Sequence, residues 1–203
     1  MLIEQPPKIF RWIFRDAICK KSTTEKVVYL TFDDGPCAKT TSHILDILDS
    51  YNVKATFFCV GENVQRNPEL FEEIKKRGHA VGNHTMRHAN GFAYSTDEYI
   101  RSVEDANVLI GSCFFRPPYG RIKPTQYKQL KKRYTIVMWD VITRDYNAKL
   151  SPEKVLSIVK KYSRNGSVIV FHDSIKAQKN VFEALPKAIE FLQREGYRFR
   201  IIE

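Results

Sequence analysis

No stretch of this chain is apolar for long enough to span a bilayer. The N-terminal stretch does not read as a secretory signal either. Ile9, Phe10, Trp12, Ile13 and Phe14 are interrupted by Arg11 and followed by Arg15 and Asp16, and no small-residue cleavage site comes after them. A cytoplasmic location is therefore the expectation, with membrane association through the N-terminal segment as its variant. Cysteine is scarce. Cys19, Cys37, Cys59 and Cys113 form no Cys-x-x-Cys pair, and a chain of 203 residues does not need disulfide staples to hold a core. Free thiols in a reducing compartment follow from that. No nucleic-acid-binding module, internal repeat, low-complexity tract or domain-scale linker is visible, which excludes repeat architectures and favours one compact domain.

What is present is ordinary for a globular protein, with 43% hydrophobic and 28% charged residues. The net charge of +10, from 33 basic and 23 acidic residues, is spread along the chain. It reads as a solvated basic surface, with no nucleic-acid partner expected. Residues 8–20 are an exception in pattern. Ile9, Phe10, Ile13, Phe14, Ala17 and Ile18 have helical spacing with basic residues opposite. Two readings compete, a helix packed on the domain or a helix lying on an anionic membrane surface. Packing is taken as the expectation, so residues 1–26 are an N-terminal segment laid against a domain of residues 27–203, and the chain is expected to be a monomer.

From Val27 onward, strand and helix patterns alternate. An apolar run ends in Thr31-Phe32-Asp33-Asp34-Gly35-Pro36, where Gly-Pro breaks the strand. Strands are expected at 55–60, 79–81, 114–115, 135–139, 167–171 and 197–202, with helices between them. This is the pattern of a parallel sheet in an α/β fold, closed or open. Chemistry in such folds sits at the carboxyl ends of strands. Two adjacent carboxylates, Asp33 and Asp34, fall at such an end, and like charges this close call for a cation or a proton. His84 and His88 lie four apart, so a helical turn would face both rings one way, and two imidazoles with a carboxylate make an open metal site. Arg116-Pro117-Pro118-Tyr119-Gly120 is a stiff loop able to hold Arg116 and a backbone N–H. Trp139-Asp140 and Arg144-Asp145-Tyr146 follow another strand. His172, at the end of Val170-Phe171-His172-Asp173, is placed to titrate near neutral pH as a general acid. His43 and His79 lack such company and read as structural or solvent-facing.

The ordered set Thr-Phe-Asp-Asp-Gly-Pro, His-Thr-x-x-His, Arg-Pro-Pro-Tyr-Gly, Asp-Tyr and a strand-end His resembles the polysaccharide deacetylase family, the NodB-homology group of carbohydrate esterase family 4. The resemblance runs from about Val27 to the end of the chain. It implies a distorted (β/α) barrel of about seven strands and a metal-dependent N-deacetylase acting on an N-acetylated glycan of the N-acetylglucosamine type. It also implies one divalent metal ion, zinc ahead of cobalt, nickel, manganese or magnesium. By position, Asp33 resembles the general base and Asp34, His84 and His88 the metal triad. Arg116 resembles the group that orients the base, and the Tyr119 N–H the oxyanion donor. His172 resembles the general acid and Asp145 its partner. Tyr146 stands where many members have Trp, and Val170 where many have Leu, which bears on acyl or sugar preference. An O-acetyl esterase, an amidase of small cyclic amides and a catalytically silent carbohydrate-binding relative remain as alternatives.

Overall fold

A computed structural model describes residues 4–21 and 23–203. In chain order its elements are α1 Lys8–Ile13, β1 Val27–Asp33, α2 Thr41–Ser50, β2 Thr56–Cys59, α3 Gly61–Arg66, α4 Pro68–Lys76, β3 Ala80–Asn83, α5 Thr96–Ile110 and β4 Phe114–Phe115. There follow α6 Pro124–Leu130, β5 Thr135–Ile136, β6 Val141–Ile142, α7 Pro152–Tyr162, β7 Val168–His172, α8 Gln178–Arg194 and β8 Arg198–Phe199.

Seven parallel strands run in the order β5-β4-β3-β2-β1-β7-β6, and β8 pairs with the start of β1. The sheet curls into a partial barrel with the helices outside, as expected of a distorted (β/α) barrel. β1 is buried along its whole length and has parallel partners on both sides. That double burial is why Val27 to Phe32 reads as one continuous apolar run. The two-residue period of a strand then sorts its side chains. Val28, Leu30 and Phe32 face outward into the core shared with Ile44, Leu48, Val181 and Leu185 of α2 and α8. Val27 and Tyr29 face into the barrel with Phe58 and Val168. By the same alternation Thr31 and Asp33 also face inward. The register sets Asp33 beside His172 at the carboxyl end of the sheet.

Local signals set the helix limits. Ser95 and Glu98 form a reciprocal capping box at the start of α5, and Gly111 ends that helix at a φ of 65°. Three expectations need correction. The expected strand 135–139 is cut short to β5, Thr135–Ile136, and an unexpected strand, β6, follows at Val141–Ile142 on the opposite rim of the barrel opening. The carbonyls of Val137 and Met138 between them accept hydrogen bonds from Arg116, and Ile18 bridges to Val137. The last strand is shorter than 197–202, since Ile202 N donates to the Thr56 hydroxyl instead of to a neighbouring strand. The helix expected over 8–20 stops at Ile13. Its continuation is drawn into the gap between the rims, where Ile18 meets Val137 and Lys20 meets Ser167.

Candidate active site

The carboxyl ends of the strands open into a cleft of about 1040 Å³. Asp33, Asp34, His84, His88, Tyr119 and His172 all line it. Two groups of side chains meet there.

The first group is built from β1, β4 and β7. Arg116 follows β4 and is completely buried. A buried guanidinium needs every donor matched, because leaving such a charge unpaired costs several kcal/mol. Its Nη1 donates to Asp33 Oδ1 at 2.6 Å and to Thr31 Oγ1 at 2.8 Å. Nη2 donates to Met138 O at 3.0 Å and Nε to Val137 O at 3.3 Å, and Phe58 stacks beneath with its centroid 4.0 Å from Cζ. Burial pulls the guanidinium below its ordinary pKa, and the Asp33 carboxylate offsets part of that. His172 Nδ1 lies 2.7 Å from Asp145 Oδ1, and His172 N donates to Asp145 Oδ2 at 2.8 Å. Asp145 is fully buried, and Asn180 Nδ2 donates to its backbone carbonyl at 2.8 Å. Burial disfavours the imidazolium, but Asp145, with Asp34 and Asp33 beyond it, overrides burial and raises His172 to about 9.

The second group is Asp34, His84 and His88, each offering one ligand atom, all within 4.8 Å of one another. The helical turn expected for the two histidines is absent, because the chain from His84 to His88 is an irregular loop. Left-handed backbone at Thr85 (φ 66°) and His88 (φ 52°) turns both rings the same way, and Asp34 is left-handed too (φ 79°). The loop is pinned by Asn83 Oδ1, which accepts from Thr85 N, and by the Thr85 hydroxyl, which accepts from Ala89 N. His84 Nδ1 is 2.7 Å from the Arg116 carbonyl. A carbonyl only accepts, so Nδ1 carries the proton and Nε2 is left as a free lone pair. Burial lowers His84 to about 4, which keeps it in that neutral, ligating form. His88 Nδ1 is 3.1 Å from the Tyr119 hydroxyl.

Asp34 Oδ1 is buried without a hydrogen-bond partner, although His88 Nε2 lies 3.1 Å from it and His84 Nε2 3.8 Å. Burial opposes its charged form, but the neighbouring His88, His172 and His84 hold the carboxyl below the ordinary range. An ionised carboxylate oxygen facing two imidazole nitrogens, with its lone pairs unmatched, is a donor set that fits a divalent cation.

Asp33, Asp34, His84, His88, Arg116, Tyr119, Asp145 and His172 come together at this cleft or directly behind it. Asp140 does not: it accepts from Arg164 and Ser167 beside the start of β7. His43 and His79 pack elsewhere, on Phe182 and against Ala55 N. Three contacts escaped that reading. Asp173 is buried, accepts from Thr40 Oγ1 at 2.5 Å and Thr41 Oγ1 at 2.6 Å, and donates its N–H to Asp33 O. Burial, with Asp34 nearby, pushes it up to about 7 despite the two hydroxyls. Gly35 allows this approach, since a Cβ there would sit 2.2 Å from Asp173 Oδ2. Asn63 of α3 donates to Asp34 O at 2.7 Å. The Tyr119 hydroxyl on His88 is the third. Adjacency to His172 pointed towards Asp173, but nothing in the sequence pointed to Asn63.

A parallel partial barrel, a carboxylate and two imidazoles poised for a cation, and a separate His–Asp pair together define the metal-dependent carbohydrate deacetylases. The chain belongs to the polysaccharide deacetylase family, whose pattern matches residues 20–139. It is 36% identical over 188 residues to a peptidoglycan-N-acetylglucosamine deacetylase of Bacillus cereus, covering 86% of this chain and 85% of that one. The crystal structure of the Bc1960 peptidoglycan N-acetylglucosamine deacetylase, in complex with an N-oxidanyl-benzamide, superposes with a TM-score of 0.87 at 36% identity. That match covers 95% of this chain and 94% of the other. A carbohydrate esterase family 4 pseudoenzyme from Bacillus anthracis has the same fold, with a TM-score of 0.82 at 27% identity over 91% of this chain and 66% of that one. Fold alone therefore does not carry activity, and the residues of the cleft decide it.

Proposed function

We propose that the cleft removes the acetyl group from an N-acetylated sugar of the N-acetylglucosamine type within a glycan, releasing acetate and a free amine. The observation that carries this reading is the meeting of a cation-ready Asp34–His84–His88 cluster with a carboxylate and a protonated imidazole at one cleft. Peptidoglycan is the substrate class that the relatives favour. When held by Asp34, His84 and His88, a divalent ion, zinc on this donor set, supplies an acidified water and a polarised acetyl carbonyl.

The remaining steps belong to the chain's own residues. Asp33 accepts the proton of the attacking water. Arg116 holds that carboxylate in place through one oxygen and leaves the other for the base role. The Tyr119 N–H donates to the oxygen on which charge develops. His172, held protonated by Asp145 to about pH 9, gives its proton to the departing nitrogen. The C–N bond breaks as the amine takes that proton, and the carboxyl product leaves as acetate. An amine is a poor leaving group until protonated, so an acid kept charged at neutral pH suits an amide better than an ester.

The test is acetate release by metal-reconstituted protein over defined N- and O-acetylated sugars. Release from N-acetylglucosamine-containing oligomers is expected. Release from O-acetyl esters alone, or glycan binding with no acetate from any substrate, would overturn the reading.

A further inference from the structure

The short helix α1 is held at both ends beside the cleft. Before it, Glu4 O accepts from Ile142 N, the Glu4 carboxylate pairs with Arg144 at 2.7 Å, and Pro6 and Pro7 lie on the cleft rim. After it, Phe14 is buried with its ring edge-on to Tyr127 of α6 at 5.2 Å. Between these anchors, Ile9, Trp12 and Ile13 stand at i, i+3 and i+4 and are 60%, 74% and 52% exposed. Large apolar side chains grouped on one side of a fixed helix mark a surface that is covered in use.

Charge argues what covers it. Arg15, directly after α1, has 82% of its side chain exposed. On α6 and the turn that follows it, Lys128, Lys131, Lys132 and Arg133 are all exposed. The acidic groups facing them are Asp16, 2.8 Å from Lys131, and Glu104, paired with Arg133. A neutral sugar chain would gain nothing from these cations. A second copy would set the same cations against each other across a two-fold interface, between chains that each carry +10. An apolar stripe with tryptophan, flanked by basic residues, is the pattern of a helix lying in an anionic lipid surface.

We propose that α1 is an interfacial docking element that seats on anionic phospholipid and holds the mouth of the cleft at a membrane surface. Apolar insertion and electrostatic attraction then both contribute, so binding depends on lipid charge and on salt.

The test is co-sedimentation of the whole chain with vesicles rich in phosphatidylglycerol and with vesicles of phosphatidylcholine alone, at low and high salt. Preferential binding to the anionic vesicles is expected, weakening as salt rises. Trp12→Ser should lower the partition coefficient about tenfold, the loss of roughly one large apolar side chain. Ile9→Ser should act in the same direction. Both variants should keep the melting temperature, and acetate release from a small soluble substrate should not change. No binding to anionic vesicles, or binding that Trp12→Ser leaves intact, would overturn the proposal. So would a dimer of the wild-type chain that Trp12→Ser dissociates, which would assign the face to a second copy.

Discussion

The two sides of the cleft are built on different principles. On one side, Asp33, Arg116, Asp145 and His172 sit at strand ends or directly behind them, and their charges are matched within the protein. On the other, Asp34, His84 and His88 sit on irregular backbone, and a buried carboxylate oxygen is left without a partner. The first side is complete by itself, whereas the second is complete only with something added. The difference follows from the chemistry proposed for each. A proton donor must be held in its charged form, and a proton acceptor held in place, before substrate arrives, and buried partners on rigid strands do this. A cation site must keep its ligand atoms unspent, and that requires oxygens and nitrogens the fold does not satisfy itself.

The largest effect is expected on the unsatisfied side. Replacing both His84 and His88 by alanine should remove bound metal and activity together, and the loss of the buried His84 ring with its bond to the Arg116 carbonyl should also lower the melting temperature of the apo protein. Full metal occupancy in this variant by elemental analysis would erase the contrast between the two sides.

Next comes Asp33→Asn. The loss of a base should lower kcat by about 10²- to 10⁴-fold, and metal content should not change, because a proton acceptor is lost and a ligand is not. If Asp33→Asn also emptied the metal site, the two adjacent carboxylates would be acting as one unit.

Asp145→Asn probes the internally matched side through pH. His172 is raised from its ordinary 6.5 to about 9. A raised pKa of this kind gives stability that is fully present below 6.5 and lost as pH rises through about 9. The wild-type melting temperature should therefore fall across that window, and the alkaline limb of kcat/KM should lie near its upper edge. In Asp145→Asn the limb should move to lower pH and the fall in melting temperature should flatten. A limb that stays in place in folded, metal-loaded protein would separate Asp145 from His172.

The smallest effect is expected where the two sides touch, at Tyr119→Phe. Its hydroxyl lies 3.1 Å from His88 Nδ1, and it is a half-exposed contact to a metal ligand. Metal affinity should fall about tenfold, with the pH profile unmoved. An equal shift in the alkaline limb would show that Tyr119 serves the acid as well.

Local patterns made much of this molecule legible before any fold was known. The run Val27 to Leu30 announces a buried strand, Gly35-Pro36 announces its end, and Thr96-Asp97-Glu98 announces a helix start. All three depend on backbone preference and burial period, which act over a few residues. The order of the motifs was enough to suggest the family. Tertiary structure alone decided which of those residues meet. Asp33 and His172 become neighbours through the parallel register of β1 and β7. Asp145 reaches His172 from 27 positions away. The expected strand 135–139 stops at Ile136, where a buried Arg116 takes the carbonyls of Val137 and Met138, and the two histidines converge through left-handed backbone instead of a helical turn. The gain in each case is a long-range hydrogen bond or a desolvated ion pair, and neither leaves a periodic trace in the sequence. Short-range pattern therefore determined the parts and their order, and long-range pairing of buried polar groups determined the site.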